Sequence, residues 1–302
     1  MRIGYPCLNT TLNCRSNRTF RVNSYSEKRL IDTVESNLTC LAKILRFNAQ
    51  NDILFFRITS DLIPFASHPI CKVNWQRKFR KRFQQIGKFI TNQGMRISMH
   101  PGHFTVLNSK DEAVVENSIR ELRYHAQVLD LMGLDISAKV QIHIGGVYNH
   151  KENSSKRFIE RFEGLDDKLK RRLVIENDDS RYHLKDCLRI NAKTDIPVVF
   201  DTLHHEAHSC GETIPQAFKQ FTTTWKSEDG LPMVDYSSQE TGERKGKHVE
   251  TINLEHFRGF MEQSKNYDFD VMLEIKDKEK SAIKAVEVAS QDNRFLSASD
   301  SK

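Results

Sequence analysis

The sequence predicts a single-domain α/β protein of the (β/α)8 barrel class. Eight short apolar runs, each of strand length, alternate with helix-patterned segments along a chain of 302 residues. The runs are apolar throughout, as strands of a parallel sheet covered on both faces are. Composition does not shift along the chain and no linker interrupts the alternation. Eight such units favour a closed barrel, which routinely fills about 250 residues. An open doubly wound sheet is the other arrangement, and the GxGxxG turn that usually follows its first strand is missing.

Residues 2–6 form the first strand, followed by a polar loop over 9–23. Ser26 caps a helix to about residue 48, with Leu30, Val34, Leu38, Leu41 and Leu45 at helical spacing. Residues 53–59 are the second strand, and the loop behind it carries Ser60-Asp61, Pro64 and Ser67-His68-Pro69. A basic helix spans 75–92 and ends before Gly94. The third strand, 95–99, stops at His100-Pro101-Gly102. Pro cannot continue a central strand and Gly permits a tight turn, so the chain leaves the sheet there and projects His103 and Phe104. Asp111 starts a helix to Met132, with Gly133 as its stop. The strand at 140–144 leads through Gly145-Gly146 into a charged helix, 151–169. Strands at 173–176 and 198–201 precede helices at 182–191 and 214–225. The strand at 233–237 is followed by a polar loop to His248 and a helix at 254–263. The last strand, 270–275, leads into a helix at 278–289. The barrel domain is expected over 1–290, with a disordered tail at 291–302.

The composition, 38% hydrophobic and 28% charged with a net charge of +6, supplies a core and a mildly basic surface. No run approaches the roughly 18 apolar residues that a membrane span needs. The chain opens directly on a strand, so no signal peptide is expected. Six cysteines without a CxxC pair read as reduced thiols of a cytoplasmic, monomeric protein.

The chemistry lies at the strand ends. Five strands close on His100, His143, Glu176, Asp201 and Glu274, and His68, His204, Asp235 and His248 sit in the loops or strands beside them. Active sites of such barrels lie at the C-terminal ends of the strands, so these side chains converge. Any one of them alone is more often a satisfied polar terminus. Together they form an imidazole and carboxylate set suited to divalent ions. Nine donors exceed the needs of one ion and point to two or three, Mn2+ foremost, with Zn2+, Co2+ and Mg2+ as the other candidates. His205 and His208 compete with His204 for its place; His125 and His183 lie in predicted helices as surface or structural residues. Of the basic clusters at 77–82, 168–172 and 244–247, the last flanks His248 on the predicted active face. Arg244, Lys245 and Lys247 are therefore expected to contact phosphates. The solvated helix face remains an equal reading of the first two.

In order along the chain, several motifs resemble the UV damage endonuclease family. They are Ile3-Gly4-Tyr5-Pro6-Cys7 with Asn9, Ser60-Asp61 through Ser67-His68-Pro69, His100-Pro101-Gly102 and Ile142-His143-Ile144-Gly145-Gly146. They continue with Glu176-Asn177-Asp178-Asp179, Asp201 with His204-His205, Asp235-Tyr236-Ser237-Ser238-Gln239 and Glu274-Ile275-Lys276-Asp277-Lys278-Glu279. The likeness covers nearly the whole chain. It implies a barrel akin to endonuclease IV and metal-dependent incision of duplex DNA immediately 5′ to ultraviolet photoproducts, leaving a 3′-hydroxyl and a 5′-phosphate. Other lesions such as abasic sites are further expected substrates.

The resemblance also implies roles. His100, His143, Glu176, Asp201, His204, His248 and Glu274 match metal ligands, and His68 matches another histidine of the cluster. Glu176, Glu274, His143 and Asp201 are expected to carry the catalysis, by metal-activated attack of water on the phosphodiester. Tyr5 and Asn9 match residues lining the lesion pocket, and His103-Phe104 stand where the family inserts a Gln-Tyr pair into the duplex. Met233 and Asp235 depart from the pattern: the family often has a Lys that can be carboxylated and, two residues on, a His. Met cannot be carboxylated, whereas Asp235 can still ligate through oxygen. The damaged nucleotides would be flipped out of the stack. A metal-dependent sugar isomerase is the alternative enzyme on this fold, and a catalytically dead damage binder is a third reading, with Met233 its one argument.

Overall fold

Short apolar strands can bury both faces when helices cover one side and the opposite strands cover the other. The computed structural model describes residues 1–299, so residues 300–302 of the expected tail lie outside it. Eight four-residue strands alternate with helices: β1 (Ile3–Pro6), β2 (Phe55–Ile58), β3 (Arg96–Met99), β4 (Lys139–Ile142), β5 (Leu173–Glu176), β6 (Val198–Asp201), β7 (Met233–Tyr236) and β8 (Asp270–Leu273). All pair in parallel, each with its sequence neighbour, and β8 closes on β1. This is the (β/α)8 barrel that the sequence predicts.

Side chains alternate between the barrel interior and the helix layer, which sorts the interior into levels. Phe55, Val174, Val199, Met233 and Met272 form a separate apolar plug. Two residues further on, the same strands carry Arg57, Glu176, Asp201, Asp235 and Glu274 at the C-terminal mouth. At the opposite end, Arg96 bonds Asp270 at 2.9 Å and Lys139 bonds Asp229 at 2.5 Å. Met233 thus belongs to the plug, while Asp235 belongs to the site.

The outer layer comprises α1 (Glu27–Gln50), α2 (Trp75–Asn92), α3 (Glu112–Leu131), α4 (Lys151–Glu163), α5 (Asp167–Lys170), α6 (Leu184–Thr194), α7 (Thr202–Ala207), α8 (Ile214–Phe221), α9 (Leu254–Gln263) and α10 (Glu279–Ala289). Ser26 and Asp111 cap α1 and α3 as expected, their side chains accepting from Arg29 N and Ala113 N. The single helix expected at 151–169 is two, because Gly164 ends α4 and Asp166 caps a new turn. α7 escaped the sequence reading: it is only six residues long, and Asp201 is its cap. Gly87 brings α2 against the end of α3, where any Cβ would meet the Met132 carbonyl oxygen at 1.7 Å.

One expectation needs correction. Cys14 and Cys40 form a disulfide that ties the loop after β1 to α1, leaving Cys7, Cys71, Cys187 and Cys210 as free thiols. Pairing depends on the approach of two Cα atoms, here 5.7 Å apart, which spacing along the chain does not reveal. The residues from 291 also make specific contacts. The Arg294 guanidinium donates to the carbonyls of Ser264 and Tyr267, Leu296 N donates to Met1 O, and Ala298 N donates to Asp52. None of the described helices is long and apolar enough to cross a membrane.

Candidate active site

The C-terminal mouth of the barrel opens into a cleft of about 1070 Å³. Its floor includes Arg57, His100, His143, Glu176, His204, His248 and Glu274; Cys7, His103, Tyr148, Asp178 and Arg244 contribute from the loops. Strands from opposite sides of the barrel therefore deliver one cluster, as alternation and closure dictate.

Three sets of ligand atoms converge to within 4.8 Å: His100-His143-Glu176, Glu176-Asp201-His204 and Asp201-Asp235-Glu274. Glu176 and Asp201 each belong to two sets, the arrangement that lets a carboxylate bridge neighbouring ions. Glu176 Oε1 lies 3.2 Å from His100 Nε2 and 2.8 Å from His143 Nδ1. His248 approaches from the loop after β7, with Nε2 3.9 Å from Glu274 Oε2.

The histidines are aimed by their second nitrogens. His204 Nδ1 donates to Asn177 O at 3.0 Å and His248 Nδ1 donates to Glu274 O at 2.7 Å. A carbonyl only accepts, so Nδ1 must carry a proton, and Nε2 is the atom turned to the cleft that can ligate once it gives up its own. Asn177 also accepts from Asp201 N and donates to Asp201 O, while Asp201 Oδ1 accepts from His204 N at 2.7 Å. The Asp-x-x-His spacing is thus a helix cap that holds ligand beside ligand. His100 Nδ1 is buried without a hydrogen-bond partner among the described residues.

Electrostatics make the cluster short of positive charge. Burial pushes the Asp201 carboxyl up to about 6, against His204 and with Glu274 and Glu176. Burial opposes charge on His204, yet Asp201, Glu176 and Glu274 keep its imidazole protonated up to about 10. His143 is likewise raised against its burial by Glu176, whereas burial holds His100 below its ordinary range. Protons on these imidazoles offset charge that divalent ions would offset more completely. The donor types, the aimed Nε2 atoms and the orphaned His100 nitrogen fit such ions.

Two residues of the site escaped the sequence reading. Arg57, its side chain 3% exposed, bonds both oxygens of Asp235 at 2.7 and 2.9 Å and also pairs with Glu274. Gln141 accepts from Arg57 at 2.9 Å and donates to Asp235 and Glu176. Their signal was a polar residue within an apolar strand, in phase with the strand-end ligands.

Other expected residues fall elsewhere. His68 is exposed on the β2–α2 loop, its ring against Phe65 and its Nδ1 accepting from Ile70 N, outside the three sets. Tyr5 does not line the cleft: it is fully buried in the outward phase of β1, donating to Asn48 Oδ1 at 2.7 Å and accepting from Asn9 at 2.9 Å. Asn9 is buried with it, its oxygen fixing the turn at Thr11 and Leu12. His205 bonds the Glu212 carbonyl, and His208 lies tilted against His183, so neither replaces His204. His125 is buried and structural, bonding Glu121 O and Ser60. His103 stacks on His143 at 4.9 Å, and Phe104 is 69% exposed at the rim. Arg244 lines the cleft, Lys245 is exposed, and Lys247 pairs with Glu243.

The chain resembles known proteins over its length. A protein named UV DNA damage endonuclease from Clostridium perfringens (strain 13 / Type A) is 39% identical over 300 residues, covering 99% of this chain and 73% of its own. The crystal structure of SacUVDE is 48% identical, with a TM-score of 0.93 over 97% of this chain and 99% of its own. Endonuclease IV from Thermus thermophilus shares the fold, with 16% identity and a TM-score of 0.57 over 83% of this chain and 93% of its own. The profile of the family described as UV-endonuclease UvdE matches residues 1–295. Matched along that whole span and to so similar a relative, the chain belongs to the UV-endonuclease UvdE family.

Proposed function

We propose that the chain is a metal-dependent endonuclease that incises duplex DNA immediately 5′ to UV photoproducts, leaving a 3′-hydroxyl and a 5′-phosphate. The observation that carries the reading is the chain of shared carboxylates and aimed imidazoles on the floor of an open cleft. His100, His143, Glu176, Asp201, His204, His248 and Glu274 would hold the ions, with Mn2+ the first candidate. Bound divalent ions supply a lowered pKa for attacking water, orientation of the phosphodiester and stabilisation of the leaving oxyanion.

The remaining tasks fall to this chain's own side chains. His143 and Glu176, 2.8 Å apart, fix each other's orientation at the cleft floor. Arg57 fixes the orientation of Glu274. Arg244, Lys245 and Lys247 offer charge to flanking phosphates. His103 and Phe104 stand at the rim, where a duplex spanning the cleft would meet them and flipped nucleotides would leave space. Abasic sites would be served by the same geometry, and a monomer acting on cytoplasmic DNA suffices. A sugar isomerase would require a small enclosed pocket, and this cleft is wide, open and flanked by basic loops.

The test is nicking of a duplex carrying one defined photoproduct, with EDTA and with added Mn2+. Incision 5′ to the lesion that EDTA abolishes and Mn2+ restores is expected. Undiminished nicking in EDTA, or binding without any nicking under Mn2+, would overturn the reading.

A further inference from the structure

We propose that the Arg57 guanidinium is a built-in cation that takes the place of one metal ion, so that the site holds two divalent ions and Asp235 positions Arg57 instead of ligating metal. This rests on the metal-dependent reading above and deepens it. Of the three convergent sets, Asp201-Asp235-Glu274 differs from the others in one respect. A permanent positive charge already bonds two of its three members.

The contacts leave little room for an ion. Arg57 Nη2 donates to both Asp235 oxygens, at 2.7 and 2.9 Å, and Gln141 Nε2 donates to Oδ2 at 2.6 Å. Every oxygen of Asp235 therefore already accepts an N–H. Arg57 Nη1 takes Oε1 of Glu274, leaving Oε2 for the His248 side. An ion ligated by Asp235 would need an oxygen at about 2.0–2.2 Å and would face a guanidinium that does not lose its proton in proteins. The other two sets contain only imidazoles as potential cations, and imidazoles release protons when they ligate.

Charge balance agrees. Glu176, Asp201, Asp235 and Glu274 against Arg57 leave three negative charges. Two divalent ions bring the site to one positive charge, which a single phosphodiester neutralises; three ions would leave a large excess. The guanidinium also holds its surroundings in place. It bonds Glu274 directly and reaches Glu176 through Gln141, so two ligand carboxylates from different strands are oriented by one planar group. Its side chain is 3% exposed, and Asp235 is fully buried. The pair is therefore set into the barrel's interior, with only a small part of Arg57 reaching the cleft floor.

The experiment is metal stoichiometry of the full chain at saturating Mn2+, by equilibrium dialysis and elemental analysis, for wild type, Asp235→Asn and Arg57→Gln. Two ions per wild-type chain are expected, and two in Asp235→Asn, whose shape is unchanged and whose amide oxygen still accepts from Arg57. Arg57→Gln should bind a third ion, with a larger rise in melting temperature on adding Mn2+ than wild type shows. Should Arg57→Gln fail to fold, Asp235→Asn still decides: loss of one ion there would make Asp235 a ligand and overturn the proposal. Three ions in wild type, or two in folded Arg57→Gln, would also overturn it. No bound ion in wild type would instead sink the metal-dependent reading on which it stands.

Discussion

Phe104 is the side chain on which damage recognition turns most simply. It is 69% exposed, and its ring lies across Gly102, where a Cβ would come within 2.5 Å of the ring edge. Thr105 N donates to Gly102 O at 2.9 Å and closes the turn, so the ring is carried on a defined loop. Truncation to Ala removes little buried area and should leave the fold intact. Stacking of a base on an aromatic is worth roughly 1–3 kcal/mol, and each 1.4 kcal/mol or so is tenfold in affinity. Phe104→Ala should therefore weaken binding to a photoproduct duplex by roughly 5- to 150-fold. Undamaged duplex, in which unstacking and unpairing cost more than at a distorted lesion, should lose far less. Fluorescence anisotropy with paired damaged and intact duplexes reads the difference, and a melting curve controls for folding. Equal losses for both duplexes together with a large drop in melting temperature would refute the wedge and make Phe104 a packing residue.

Three further outcomes are expected. Glu176→Gln, which removes the shared charge between His100 and His143, should cut incision by orders of magnitude while duplex affinity survives; substantial nicking at saturating Mn2+ would exclude Glu176 from catalysis. In the metal-free protein, Asp201 and His204 both bind protons more tightly when folded, with pKa values raised to about 6 and about 10. The stability tied to Asp201 is thus present below its unfolded value and lost as pH rises to about 6, and that tied to His204 is lost between the ordinary histidine range and about 10. Melting temperature in EDTA should fall as pH rises from 5 to 10, and saturating Mn2+ should remove the decline; a flat EDTA profile would contradict the charge deficit. Finally, Cys14→Ser opens a bridge spanning 26 residues, for a loss of roughly 3 kcal/mol with incision unchanged; identical melting of oxidised wild type and variant would show that the bridge does not form.

The sequence by itself determined the barrel and most of its site. Strand length, unbroken apolarity and turn residues are local properties, and they suffice to place His100, His143, Glu176, Asp201 and Glu274 at strand ends. Closure then brings strand ends together whatever the loops do, which is why these residues meet. Only the tertiary structure decided what each polar side chain touches. Arg57 and Gln141 lie 84 residues apart and bond across the barrel, and Asp235 lies 178 residues from the guanidinium that occupies it. Nothing near any of them in sequence announces the other. Tyr5 and His68 show the converse: their motifs lie in the right order, but the outward phase of β1 buries one among helices and a loop turns the other to solvent. The bond between Cys14 and Cys40 likewise depends on a 5.7 Å approach that exists only after α1 has docked on the barrel. Local sequence sets which residues point into the barrel, whereas charge pairing among them is settled by distances that only the closed barrel creates.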